Sequence, residues 1–315
     1  MSKPILSIIV PIYGTEKYIA RCAHSLFSQA SDKIEYVFVN DCTPDNALSI
    51  LKNIIQEDKT VFLNVKIINH DYNQGLGAAR LTGLNHSTGE YVWFVDSDDF
   101  VEQNAIKTLM PFFDRCSNLI TFSFFEEKNN SVSKYVVRNV SVERLLRTQI
   151  PATLWKCVFR RKFLFLNNIF PIQGINYAED FHVLAKALLV SEYTIELSDK
   201  YLYHYECSNQ NSLMHQLSTN AYESCADAVM SVYEFYKSHG AVETYRYTLA
   251  AMLVQKYLDL KKSDSNNPRL NNLLSSIKEL SLSYYLIFKS GIPLKLQVQL
   301  ARVVKVITAG RDSKL

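Results

Sequence analysis

The sequence predicts an α/β protein: an open, mainly parallel sheet flanked by helices, followed by a helical C-terminal appendage. Three observations carry that reading. Over the first 110 residues, short apolar runs alternate with stretches of helical periodicity. One run, Tyr91-Val-Trp-Phe-Val95, is apolar on both faces of its pleat, and from Thr219 onward the pattern is helical. Strand-helix-strand repetition at this spacing builds parallel sheets covered on both sides. A strand buried on both faces reads as a continuous apolar run.

Leu6 to Pro11 is the first expected strand, and Glu16 to Gln29 the first helix, with Tyr18, Ile19, Cys22 and Leu26 at helical spacing. Ile34 to Val39 follows as a strand. Thr43-Pro-Asp45 then reads as a helix start, with Thr43 as N-cap and Pro44 at the first helical position, the helix running to about Asp58. Val65 to Ile68 is the third strand, Leu76 to His86 a helix and Tyr91 to Val95 the fourth strand. Leu119 to Phe125 and Ser133 to Val137 suggest a hairpin at the sheet edge. Residues 141–168 read as short helices, 179–190 as a helix and 193–205 as one or two strands. Helices are expected over about 219–238, 241–262, 271–281 and 294–308. The division this implies is a domain over 1–215, parted into 1–110 and 111–215, and a helical region over 216–315.

Composition narrows the function classes. The 315 residues are 48% hydrophobic and 21% charged, which is ordinary for a globular protein, and a net charge of +3 is too weak to argue for nucleic-acid binding. The charge is uneven. Residues 216–315 hold 13 basic and 8 acidic side chains, and from Leu280 onward six Lys/Arg face Asp312 alone. Six cysteines without C-x-x-C spacing point to free thiols in a reducing compartment. Met-Ser-Lys-Pro opens the chain without an apolar signal region, and no run reaches 18 apolar residues, so a cytoplasmic protein is expected.

In open parallel sheets, ligands bind beyond the carboxyl ends of the strands. Here those ends read Pro11-Ile-Tyr13, Asn40-Asp41 and Asp96-Ser-Asp98-Asp99. Clustered carboxylates repel, which stabilises nothing but suits a divalent cation and a phosphate. In an extended segment Asp96 and Asp98 face one way and Asp99 the other, so Asp99 serves equally well as a helix N-cap. Oxygen ligands without nearby His or Cys favour Mn²⁺ or Mg²⁺.

Five ordered motifs carry a resemblance. They are Ser7-Ile-Ile-Val-Pro-Ile-Tyr13, Val39-Asn-Asp-Cys-Thr-Pro-Asp45, Asn73-Gln-Gly-Leu-Gly-Ala-Ala-Arg80, Gly89-Glu-Tyr and Phe94-Val-Asp-Ser-Asp-Asp99. Together they resemble the nucleotide-sugar-binding half of the family-two glycosyltransferases of GT-A fold, strongly over 5–110 and more weakly to about 215. The resemblance implies that Pro11 and Tyr13 line a nucleobase pocket and that Asp41 hydrogen-bonds the base, usually uracil. Asn40 and Cys42 stand where the family more often has Asp and Gly. It further implies that Arg80 approaches the base and diphosphate, that Asp96 contacts ribose or the metal's water shell, and that Asp98 binds the metal. Tyr177-Ala-Glu-Asp180 resembles the family's Glu-Asp element, with Asp180 as catalytic base and Glu179 positioning it; a pair compensating a helix dipole has the same appearance. Trp155, in the resembling Trp-x-Lys element, either stacks on a sugar or fills the core. His204 and His215, in a segment resembling the one that closes over the diphosphate, are candidates for the metal shell or for structural roles.

The implied reaction is inverting transfer from a nucleotide sugar, a UDP-sugar by resemblance, to a saccharide hydroxyl, with Asp180 as general base and a metal neutralising the departing diphosphate. The implied setting is surface-polysaccharide assembly on a lipid-linked acceptor. Two other classes compete. A sugar-1-phosphate nucleotidyltransferase needs a Gly-rich, basic loop after the first strand, where this chain has Tyr13-Gly-Thr-Glu-Lys17. A nucleotide-sugar-binding subunit that has lost catalysis is the other, and the intact Asp96, Asp98 and Asp180 argue against it. Residues 291–309 form an amphipathic basic pattern, with Leu296, Leu300, Val303, Val304 and Ile307 on one face and Lys295, Arg302 and Lys305 roughly opposite. That pattern fits an anionic membrane surface, packing on the chain's own domain, or a homodimer interface.

Overall fold

The computed structural model describes residues 3–57, 64–129, 131–209, 219–289, 296–301 and 304. They form two compact units. The first comprises Met1–Val140, Ala152–Asn176 and Val190–His215; the second comprises Ser141–Pro151, Tyr177–Leu189 and Gln216–Leu315.

The first unit is built on a sheet in which nine strands are described, ordered β3-β2-β1-β4-β8-β6-β9-β5, with β7 paired to β6. β1 (Leu6–Ile12), β2 (Ile34–Asn40), β3 (Val65–Asn69) and β4 (Tyr91–Phe94) are mutually parallel. Their residues alternate across the sheet, yet every residue of β1, β2 and β4 is buried, because helices cover both faces. Trp93, Tyr36 and Phe38 are fully buried, each contributing roughly 1.5–3 kcal/mol. α1 (Ile19–Phe27) buries Ile19, Cys22, Ala23, Leu26 and Phe27, the stripe its periodicity predicts. α2 (Ala47–Glu57) begins three residues later than Pro44 would place it. Thr43 is not its cap. The Thr43 hydroxyl accepts from Gly14 N–H and donates to Asp45, and Asp45 accepts from Glu16 N–H, so this stretch ties the β2 loop to the β1 loop. α3 (Leu76–His86) precedes β4.

The middle of the chain departs furthest from expectation. β5 (Phe100–Val101) and α4 (Ala105–Phe113) follow β4, and α4 contains Pro111 within its last turn. β6 (Leu119–Lys128) is not an edge strand. It pairs antiparallel with β8 (Cys157–Arg160) and parallel with β9 (Thr194–Glu206), with only β7 (Ser131–Tyr135) completing the expected hairpin. Residues 141–168 are not helical throughout, because β8 lies between α5 (Val142–Leu146) and α6 (Arg161–Leu166). Trp155 is core: it is 3% exposed, stacks on Tyr203 at 4.6 Å and meets Phe124 edge-on. A sugar-stacking role is excluded by that burial.

The second unit is helical. α7 (Glu179–Val190), α8 (Thr219–Ser238), α9 (Val242–Ser263), α10 (Arg269–Leu280) and α11 (Leu282–Lys289) are joined by helical residues at 296–301. α11 splits off from the preceding helix at Ser281, whose backbone is extended. The C-terminal pattern over 291–309 is described only at 296–301 and 304, the remainder lying outside the described residues.

Candidate active site

In the first unit, the polar groups sit where the parallel strands end. At the end of β1, Pro11 is buried within the ladder opposite Val39, while Tyr13 is half exposed. Asp41 follows β2 and is 3% exposed. One of its oxygens accepts from Gln74 N–H at 2.8 Å and pairs with His70 Nδ1 at 2.7 Å; the other accepts from Gly75 N–H at 2.8 Å. His70 Nε2 meets the Thr82 hydroxyl at 2.9 Å. Asp41 therefore fastens the loop after β3 to the end of β2, and His70 is a site residue that the motifs did not single out. Cys42 adopts φ +54°, the left-handed region that favours glycine, which accounts for the glycine more usual at this position.

Two glycines let the next loop close. Gly75, at φ +89°, has no room for a Cβ against the Asn176 side chain, and a Cβ on Gly77 would lie 2.5 Å from the Ile172 carbonyl oxygen and 2.6 Å from that of Ile175. Three residues on along α3, Arg80 is 1% exposed and gives a guanidinium N–H to Asp96 at 2.7 Å. Arg80 is thus a buried partner of the β4 terminus, not a surface helix residue.

The Asp96-Ser-Asp98-Asp99 segment is a turn, closed by Asp99 N–H donating to the Asp96 carbonyl oxygen at 3.1 Å, not the extended stretch expected. Asp99 faces inward, 1% exposed, accepting from Glu206 N–H and from the Tyr203 hydroxyl, each at 2.7 Å. It is not a helix cap. The Tyr203 hydroxyl in turn accepts from Asp96 N–H at 3.0 Å. Burial, then the charges of Asp98 and Asp96, push the Asp99 carboxyl well above the usual range. Asp98 accepts from the Asn209 side chain at 2.8 Å, and its backbone carbonyl from Arg21 at 3.2 Å. Burial, together with Asp96, pushes its carboxyl up to about 6, against the Asn209 hydrogen bond. Arg21 also reaches Glu206 at 3.0 Å. Burial raises the Glu206 carboxyl, but hydrogen bonds from Arg21 and Ser208 outweigh it and hold the group below its ordinary value.

A divalent cation fits the Asp98 position chemically. The donors are hard oxygens, and a cation would relieve the mutual repulsion that raises Asp98. Among the described residues, no three His, Cys, Asp or Glu side chains converge as a metal cage. His204 is placed away from such a role: Nδ1 meets Glu127 at 2.7 Å, Nε2 meets Glu102 at 3.1 Å, and the ring is stacked between Phe100 and Phe125. Both ring nitrogens are thus engaged by carboxylates. His215 lies outside the described residues.

The Glu-Asp element belongs to the second unit. Ala178, at φ +61°, turns the chain into α7, whose first turn is Glu179-Asp180. Glu179 is buried and Asp180 half-buried, at the end of the helix where unpaired N–H groups favour an anion.

Against known proteins, the model of glycosyl transferase family 2 matches residues 7–173. EpsJ of Bacillus subtilis, an uncharacterized glycosyltransferase, is 30% identical over 67% of this chain and 63% of its own length. TarS of Staphylococcus aureus, a poly(ribitol-phosphate) beta-N-acetylglucosaminyltransferase, is 31% identical over 63% of this chain and 35% of that protein. The chain thus spans less than two thirds of either relative. Among solved structures, TarS 1–349 in complex with UDP-GlcNAc superposes with a TM-score of 0.61, 21% identity and coverage of 91% of this chain and 92% of that one. The mannosyltransferase PcManGT of Pyrobaculum calidifontis, in complex with GDP-Man and Mn²⁺, superposes at 0.53 with 16% identity, covering 97% and 88%. The fold is therefore GT-A, with C-terminal helices added. With five strand-end motifs in order and a family match over more than half its length, the chain belongs to glycosyl transferase family 2.

Proposed function

We propose that the protein transfers a sugar, with inversion, from a UDP-sugar to a hydroxyl of a saccharide acceptor. The observation that carries this reading is the end of β4, where a half-buried Asp98 carboxyl raised to about 6 stands beside an Asp96 anchored by Arg80. In this reading Tyr13 and Asp41 border the nucleobase, with Pro11 shaping the strand end behind them. Asp98, with Asp96 beside it, would hold Mn²⁺ or Mg²⁺. When bound, that ion supplies Lewis-acid neutralisation of the diphosphate leaving group. Asp180 takes the proton from the acceptor hydroxyl, and Glu179 positions it. Alignment of acceptor and anomeric carbon is the fold's own contribution.

Thermal-shift titration with UDP, GDP and their sugars, with and without Mn²⁺, tests the donor side. A UDP response that requires the metal is expected, and indifference to every nucleotide would overturn it. Asp180→Asn tests the base: normal folding with unchanged transfer would remove the assignment.

The acceptor is proposed to be lipid-linked, with the enzyme resting at the cytoplasmic face of an anionic membrane during surface-polysaccharide assembly. Leu282 and Leu286 on α11 are 60% and 57% exposed, and Leu296 and Leu300 are 43% and 39% exposed. Each pair shares one helix face, and the sequence around them carries six basic residues against one acid from Leu280 onward. No helix among the described residues is long and apolar enough to cross a membrane. Flotation with phosphatidylglycerol vesicles should capture the wild type and lose Leu282→Asp/Leu286→Asp. Equal capture of both, or concentration-dependent dimerisation without capture, would favour another use of this face.

A further inference from the structure

α7 carries a buried polar stripe of which the reaction outlined above uses only Glu179. Glu179, His182 and Lys186 are 6%, 1% and 7% exposed and stand at i, i+3 and i+7, one face of the helix. Lys186 Nζ donates to the Ser231 hydroxyl on α8 at 2.9 Å, lies 3.3 Å from His182 Nε2 and sits 5.3 Å over the Phe235 ring. Among the described residues it has no carboxylate partner. Burial pushes the amine down to about 8. An ammonium can only donate, so His182 Nε2 accepts and the imidazole proton is left on Nδ1. Helix side chains lean toward the N-terminus, so His182 leans toward the turn holding Glu179 and Asp180.

We propose that Lys186 and His182 are positioning residues for the Glu179-Asp180 turn: Lys186 holds His182 in the neutral Nδ1–H form on the buried side of that turn. The proposal rests on Asp180 being the base. The other titratable or charged groups set against this stripe among the described residues include Cys225 on α8, whose thiol is raised by burial, with Lys256 lowering it and Asp259 and Glu179 raising it, and Tyr236, which donates to the Ala185 carbonyl oxygen. Neither supplies a countercharge to Lys186.

Two measurements test it. Long-range imidazole ¹H–¹⁵N spectra, with His182 assigned from the His182→Asn variant, should show His182 as the Nδ1–H tautomer from pH 6 to 8. That tautomer should be lost in Lys186→Met. An Nε2–H tautomer in the wild type would overturn the proposal without any assay of turnover. The second measurement is UDP release from UDP-N-acetylglucosamine and UDP-glucose. His182→Asn, whose amide mimics Nδ1–H, should keep kcat within about threefold, while His182→Gln, which mimics the other nitrogen, should lose tenfold or more at unchanged KM. Equal activities of the Asn and Gln variants would overturn the proposal. Adding His182→Gln to Asp180→Asn should cost nothing further. An inactive Asp180→Asn beside a fully active His182→Gln would sink this inference alone, whereas a fully active Asp180→Asn would sink the base assignment.

Discussion

Tyr203→Phe is the sharpest test of how the acidic turn is held. The ring is fully buried and stacks on Trp155, so the substitution keeps shape and apolar area and removes one oxygen. That oxygen donates to Asp99 at 2.7 Å and accepts from Asp96 N–H at 3.0 Å. Hydrogen bonds to a carboxyl are worth about 1.5–3 kcal/mol and neutral ones about 1, so the expected loss is roughly 2–4 kcal/mol. For a urea slope of about 2–3 kcal/mol/M, the midpoint should fall by about 1 M. Tyr193→Phe serves as control: Tyr193 is 47% exposed, and its substitution should leave the midpoint unchanged. A Tyr203→Phe shift below about 0.2 M would show that Asp99 is held by Glu206 N–H alone and refute the bridging role.

Other outcomes follow from the same accounting. Glu35 is buried, and although burial raises its carboxyl, hydrogen bonds from Lys66, Ser7 and Thr88 outweigh this and hold it below 4.5. Its contribution is therefore complete above pH about 4.5 and lost as pH falls through the lower folded value. Glu35→Ala should cost about 2–4 kcal/mol at pH 7 in urea melts and flatten the acid limb. Gly77→Ala must displace the 172–175 backbone and should lower stability by about 1–3 kcal/mol in thermal denaturation. For Lys186, with its amine lowered from 10.5 to about 8, the unfolded chain binds more protons between those values. The Lys186 contribution should thus rise with pH across that window, by roughly 2 kcal/mol, read as the difference between wild type and Lys186→Met. A difference that does not change with pH would mean that Lys186 is not buried as an amine.

The parallel half of the sheet was legible because its strands announce themselves twice, as apolar runs and by the turn residues behind them. β8 was not: Cys157-Val-Phe-Arg160 is four residues long and sits beside an apolar stretch of helical spacing, and nothing local distinguishes the two. α4 was obscured by Pro111, tolerated near the helix end. In the site, the Asp96 and Asp98 carboxylates could be read because they stand directly behind a buried apolar strand. Their supports could not. Tyr203 lies 104 residues from Asp99, Arg21 185 from Glu206 and His70 29 from Asp41. Such pairings leave no period in a sequence; they become visible only when strand order is known. In the segment Tyr203-His-Tyr-Glu206 the signal pointed to His204, whereas the groups that hold the acidic turn are the Tyr203 hydroxyl and the Glu206 N–H.

The interleaving of the two units bears on how such a chain can be rearranged. The chain passes between them after residues 140, 151, 176, 189 and 215, so neither unit is one continuous piece. Grafting a foreign tail at 216 would leave α5 and α7 behind, and with them the Glu179-Asp180 turn. A single crossover therefore cannot exchange the second unit whole. Its exchange takes joint replacement of three separate stretches, 141–151, 177–189 and 216–315.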